Sequence, residues 1–312
     1  MSSPSPDDLT EVTLVLGGGG AKGFVHLGVI EELVRRDIQI RAIVGTSIGA
    51  IIGSLFAHYV SELYSNERDP QAAAIGQLID VMISLSFWRH ADLNLVSAFR
   101  RGIVRGESID SWLSQRLSHK KKVRAIRFDE LDFDLTVTAT DAHTGESLIL
   151  NRDEEPKMFV HSAVRASMSM PWIFKEIELE IDGKPIKCWD GGTTGNCRFD
   201  IAARLYPDRP IIASSLTYRG EVVDTGSGLF GIPFRPLKVL NHSTSILMRS
   251  FEEALKQAMP SDQIKQIIFL EPSLSIGSTV VNTYYFQLAL IERSILIENG
   301  RAAVELALGP QS

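Results

Sequence analysis

The sequence predicts an α/β domain with a central mixed sheet covered by helices on both faces. Three observations predict it. Between residues 12 and 44 an apolar strand, a glycine loop, a helix and a second strand follow one another, which makes a βαβ unit with parallel strands and a right-handed crossover. Two β-prone runs flank Asp182-Gly183, a hairpin signal that adds antiparallel strands. The 312-residue chain is 44% hydrophobic and 22% charged, enough apolar material for one large core.

The elements follow in order. Residues 1–10, with Pro4, Pro6, Asp7 and Asp8, read as a disordered tail; residues 11–312 form the domain. The tail lacks the basic start and apolar run of a signal peptide. Residues 12–16 are apolar and β-branched and stop at Gly17, a buried strand. From residue 24 to 36, Leu27, Ile30, Leu33 and Val34 fall at helical spacing. Residues 40–44 form the second strand and 48–59 the second helix. Residues 43–60 contain no Asp, Glu, Lys or Arg, but Gly45, Gly49 and Gly53 interrupt them; we read a strand end, a turn and a buried helix rather than a membrane span. Residues 61–70 form a polar loop, and 72–87 and 109–117 are helical. Strands follow at 133–140, 147–150, 177–181, 186–189, 210–214 and 267–270, and a helical stretch at 284–306 closes the chain.

The net charge of −6 argues against nucleic acid as a partner. The dense basic run, His119 to Lys122 with Arg124, reads as a solvated loop, with anionic lipid headgroups as the alternative. Two cysteines, Cys188 and Cys197, are too few for a disulfide framework and fit a reducing, cytoplasmic compartment. No zinc spacing is present, and neither a metal nor a cofactor is expected.

Three motifs carry chemistry. Gly45-Thr46-Ser47-Ile48-Gly49 lies between a strand and a helix, the setting of a nucleophile elbow. A strained turn there projects the Ser47 hydroxyl at the strand's carboxyl end, and the helix aims its positive end at the site. Gly17-Gly18-Gly19-Gly20-Ala21-Lys22-Gly23 concentrates flexible residues, and the usual reason is close approach of backbone N–H groups to an anion. A dinucleotide pyrophosphate needs an acid ending the second strand, and Asp37 precedes that strand; a P-loop needs Ser or Thr after the lysine, and Gly23 stands there. The third possible anion is the oxyanion of acyl transfer, which N–H groups around Gly18, Gly19 and Gly20 would bind, with Lys22 adding charge; the alternative for Lys22 is a solvated lysine in the first turn. Asp190-Gly191-Gly192 follows a strand; Asp190 is a turn former or the general base to Ser47.

In this order the motifs, together with Ala166-Ser167-Met168-Ser169-Met170-Pro171, resemble the patatin-like phospholipase family, in a bacterial single-domain form. The resemblance covers residues 12–201. It implies a three-layer α/β/α sandwich with a mainly parallel sheet. It also implies a Ser47–Asp190 dyad without histidine and hydrolysis of fatty-acyl esters in membrane phospholipids or other acyl lipids, with peripheral contact at the inner membrane face. Two departures stand out. The family usually places arginine where Lys22 stands, and often continues Asp-Gly-Gly with Asn-Asn-x-Pro, where this chain has Thr193-Thr194-Gly195-Asn196-Cys197-Arg198-Phe199.

The alternative within hydrolases is a Ser-His-Asp triad using His242, which Asn241 and Ser243 mark as a loop residue. The alternative outside them is a nucleotide-binding module built on the glycine loop. Some members of the family are anti-phage effectors switched on by a cyclic nucleotide, and nothing in this sequence marks a site for such an activator. Residues 229–238 and Phe87-Trp88-Arg89-His90 mix bulky apolar groups and cations and are read as core-packing loops, with an interfacial role as the alternative.

Overall fold

Along β1 (Glu11–Leu16), Val12, Leu14 and Leu16 enter one hydrophobic core and Val15 enters another, as expected of a strand buried on both faces. β2 (Gln39–Thr46) runs parallel to it, with Leu16 beside Gly45. The computed structural model describes residues 9–85, 104–119, 124–171, 173–217, 235–276, 279–280 and 293–310, and for 235–242, 244–245, 275–276 and 279–280 the backbone alone. Leu9 is buried and the Thr10 carbonyl accepts from Gln39 N–H at 2.8 Å, so the chain is anchored from residue 9. The tail expected before it lies outside the described residues.

The helices are α1 (Phe24–Arg35), α2 (Ile48–Leu63), α3 (Pro70–Ser84), α4 (Glu107–Arg116), α5 (Val160–Ser167), α6 (Phe199–Leu205), α7 (Arg235–Ala258), α8 (Ser261–Ile264) and α9 (Arg293–Leu308). The main sheet adds β5 (Asp134–Asp141), β6 (Ser147–Leu150), β7 (Ile177–Ile181), β8 (Lys184–Asp190), β9 (Ile211–Ser214) and β10 (Ile267–Leu270). Minor two-stranded pairs are β3 (Ser118–His119) with β4 (Arg124–Ala125), and β11 (Ser275–Ile276) with β12 (Thr279–Val280). The sheet order is β10-β9-β1-β2-β5-β8-β7, with β6 also on β5. The pairs from β10 through β5 are parallel and those of β6, β7 and β8 antiparallel. Residues of α1, α2, α3 and α9 pack on one face, and Phe199, Ile201 and Ala202 of α6 with Leu255 of α7 on the other. This is a three-layer α/β/α sandwich with a mixed, mainly parallel sheet.

α2 is buried from Ile48 to Val60, as its charge-free sequence requires, and no described helix is long and apolar enough to cross a membrane. It runs on to Leu63, because Ser61 bonds the Ala57 carbonyl and caps nothing, so the loop expected from residue 61 starts later. The backbone of residue 242, expected in a loop, lies within α7. Residues 87–90 and 229–234 lie outside the described set, and 235–238 are helical.

Two features of the sheet place the site. Chain order reverses between β1 and β9, and the crevice at the carboxyl ends of such neighbours is where α/β proteins bind ligands. On β5, Thr138 pairs with Thr46 of β2 on one edge and Ile149 of β6 on the other, while Ala139 pairs with Asp190 of β8 and Leu148 of β6. β2 and β8 therefore share one edge of β5. The residue that follows Thr46 meets the residue that ends β8.

Candidate active site

Ser47 stands between β2 and α2 with φ 54° and ψ −119°. A non-glycine residue in that region is held there against strain of order 1–3 kcal/mol. The turn is tight on both sides. A Cβ on Gly49 would sit 2.1 Å from the Leu16 carbonyl oxygen, and one on Gly45 2.7 Å from the Gly49 carbonyl oxygen, so no side chain fits at either position. The Ser47 carbonyl accepts from Ala50 and Ile51 N–H, its N–H donates to Ser167 Oγ at 2.8 Å, and its hydroxyl donates to Asp190 Oδ2 at 2.7 Å.

Asp190 is 3% exposed. Its Oδ1 accepts from Gly192 N–H at 2.7 Å, its own N–H donates to the Ser169 carbonyl, and Thr140 Oγ1 donates to its carbonyl. Burial pushes its carboxyl up to about 6, against the opposing pull of the Ser47 and Gly192 hydrogen bonds. Gly191 packs against Thr138, and Gly192 lies beside the Asp190 carboxylate. The stretch 167–169 thus buttresses both partners, through Ser167 on Ser47 and Ser169 on Asp190.

The glycine loop passes beside this pair. Gly17 N–H donates to the Ser214 carbonyl, and a Cβ on Gly18 would lie 3.1 Å from Ser47 Cβ. Gly18 N–H, expected among the free anion donors, instead donates to the Asn196 carbonyl at 3.3 Å. Among the described residues the N–H groups of Gly19 and Gly20 have no acceptor. Gly23 seats the loop's single 3₁₀ turn (Gly20–Gly23) on Ile48.

Lys22 is neither solvated nor turned outward. It is buried, its ammonium donates to the Leu216 carbonyl at 2.7 Å, and burial lowers its pKa to about 8 despite the Glu252 carboxylate nearby. Glu252 accepts from Ser215 and Thr217 hydroxyls at 2.8 and 2.7 Å on either side of Leu216. The lysine therefore ties the glycine loop to the turn after β9.

His26 uses both ring nitrogens structurally. The Gly17 carbonyl can only accept, so Nε2 donates to it at 2.8 Å and Nδ1 accepts from Ser214 Oγ at 3.0 Å. Burial lowers its pKa to about 4 and keeps it neutral. His58, His119 and His161 lie near Glu62, Glu130 and Asp110 respectively, and His143 is exposed. The basic run, expected as a solvated loop, is part of a small hairpin: His119 of β3 pairs with Arg124 of β4, Arg124 bonds Glu130 at 2.8 Å, and residues 120–123 lie outside the described set. Among the described residues no group of three or more His, Cys, Asp or Glu is arranged to hold a metal ion.

The fold and this pair define a class: a three-layer α/β/α protein with a serine on a strained strand–helix turn, bonded to a buried carboxylate beside a glycine loop. The sequence profile of the patatin-like phospholipases matches residues 14–203, and the chain belongs to that family. It is 29% identical over 310 residues to the uncharacterized protein YqhO of Bacillus subtilis, covering 94% of this chain and 97% of that one. It is 28% identical over 199 residues to patatin-like phospholipase domain-containing protein 6 of Homo sapiens, covering 62% of this chain and 12% of the relative. Among solved structures, VipD from Legionella pneumophila aligns over 98% of this chain and 67% of its own, at 14% identity and a TM-score of 0.46. Membership makes this chain a hydrolase of lipid esters. Asn196, named above only within a departure from the family's pattern, bonds both polar groups of Gly18.

Proposed function

We propose that the protein is a serine-dependent lipid acyl hydrolase acting on fatty-acyl esters of membrane phospholipids through a Ser47–Asp190 dyad. One observation carries the reading: Ser47 Oγ donates at 2.7 Å to a buried carboxylate whose pKa burial has raised to about 6, which makes it a stronger base than a solvated aspartate. Ser47 Oγ bonds to the ester carbonyl carbon while its proton passes to Asp190. The carbonyl oxygen becomes an oxyanion facing the free N–H groups of Gly19 and Gly20, with Gly18 lining the approach and Lys22 holding the loop. Collapse breaks the ester C–O bond, and the leaving alcohol takes the proton from Asp190. Water then attacks the acyl-Ser47 ester with Asp190 again as base, releasing the fatty acid and restoring the serine. The substrate lies in a bilayer, so contact is peripheral.

The test is hydrolysis of phospholipid vesicles together with fluorophosphonate labelling. Ser47→Ala loses both, and Asp190→Asn lowers turnover by about 10³-fold or more. The base must be ionised, so the rate climbs as pH rises through about 6 and then levels. His242→Ala keeps wild-type turnover. A His242 variant as inactive as the serine variant would overturn the dyad, and an unlabelled, inert Ser47 would favour the binding-module reading.

A further inference from the structure

Asn196 is 3% exposed and lies six residues past Asp190, on the turn that follows Gly191 and Gly192. Its backbone carbonyl accepts from Gly18 N–H at 3.3 Å, and its side-chain Nδ2 donates to the Gly18 carbonyl at 3.0 Å. One residue thereby occupies both polar groups of Gly18. On its other side Gly18 touches Ser47: a Cβ there would meet Asn196 Oδ1 at 2.6 Å and Ser47 Cβ at 3.1 Å. Among the described residues, the N–H groups of the next two residues have no acceptor. The Asn196 amide also faces the Glu252 carboxylate, which accepts from Ser215 and Thr217, so its orientation is held from α7. The Gly18 carbonyl and the Gly19 N–H belong to one planar peptide unit, so holding the carbonyl sets the direction of that N–H and the starting point of the next.

We propose that Asn196 is a positioning residue. It clamps Gly18 so that the Gly19 and Gly20 N–H groups converge beside Ser47, and it ties the segment bearing Asp190 to the glycine loop. The inference rests on the dyad reading above. A positioning role acts on the tetrahedral state, where the oxyanion is fully formed, more than on the bound ester.

The experiment compares wild type, Ser47→Ala, Asn196→Ala and Asn196→Ser on p-nitrophenyl butyrate, with kcat normalised to folded protein by circular dichroism. The expected result for both Asn196 variants is a fall in kcat of about 10- to 100-fold with KM within about twofold. The rate of fluorophosphonate labelling falls in parallel, and the pH midpoint near 6 does not move. Serine is kept as the second variant because it retains a buried hydroxyl yet cannot span the distance to the Gly18 carbonyl. Wild-type kcat per folded molecule in either variant, with loss confined to thermal stability, overturns the inference and assigns Asn196 to structure alone. If Ser47→Ala retains turnover, the dyad reading itself fails; if Ser47→Ala is inactive and Asn196→Ala is fast, only the clamp fails.

Discussion

Ser47 is both the proposed nucleophile and a point of backbone strain, and the two properties can be separated. With φ 54° and ψ −119° it occupies a region that glycine enters freely. Replacing it with alanine removes the hydroxyl and keeps the strain; replacing it with glycine removes both. Ser47→Gly is therefore expected to exceed Ser47→Ala in unfolding free energy by about 1 kcal/mol, the relief of strain being partly offset by glycine's greater chain entropy. Urea denaturation of the two inactive variants checks this, and equal midpoints would mean that the strain relieved is no larger than glycine's entropic cost. The strained turn at Ser47 was legible because strand, glycines and helix are written contiguously around it. For Asp190 the sequence left two readings, turn former or general base, and only the resemblance and the lack of a well-placed histidine favoured the second. Nothing adjacent in sequence says that Ala139 pairs with Asp190 one register beyond Thr138 and Thr46, and that long-range pairing brings the carboxylate to the serine. The partner of Lys22 was illegible for the same reason: its ammonium donates to the Leu216 carbonyl, 194 residues away.

At the scale of elements, the eight strands of the main sheet and the first two helices follow from apolar runs and periodicity, whereas the two-stranded pairs, α5, α6 and much of α7 did not stand out. α5 is eight residues with a buried Arg165, and α6 is seven residues beginning at a buried Phe199; neither shows a full apolar stripe. The glycines inside helices carried information that the sequence alone left unread. A Cβ on Gly28 of α1 would lie 1.8 Å from the Ile297 carbonyl oxygen of α9, and one on Gly300 2.1 Å from the Val25 carbonyl oxygen. The two helices approach backbone to backbone at these points. Gly28→Ala and Gly300→Ala should each lower stability by about 3 kcal/mol, because the obstacle is main chain that cannot rotate away. Gly76 in α3 is the contrasting case, with nothing within 4 Å of its added Cβ, and Gly76→Ala should raise stability by about 1 kcal/mol through helix propensity. Thermal melts of the three variants decide between close packing and mere chain flexibility; a Gly28→Ala protein as stable as wild type removes the close-contact account.

For the whole molecule, the site is a source of instability that the sandwich must offset. The Asp190 carboxyl has an ordinary value of 3.8 and is raised to about 6 in the fold by burial. Below the lower value both folded and unfolded states hold the proton, and the group does not oppose folding. Between the two values the native state keeps a proton that the unfolded chain releases, so stability falls as pH rises. Above about 6 the full loss remains, about 3 kcal/mol for a carboxyl moved from 3.8 to about 6. Lys22 works in the opposite direction. Its ordinary value of 10.5 is lowered to about 8, so the buried ammonium opposes folding at neutral pH, and that cost is relieved as pH climbs from 8 toward 10. Asp190→Asn keeps an acceptor for Gly192 N–H and removes the charge. It should be more stable than wild type at pH 8 by up to about 3 kcal/mol, with the difference shrinking to nothing by about pH 4, while turnover is lost. Urea denaturation of both proteins across that range gives the curve. An Asn variant no more stable than wild type at pH 8 would mean that the Ser47 and Gly192 hydrogen bonds already compensate the buried charge, and the basicity assigned to Asp190 would then need another source.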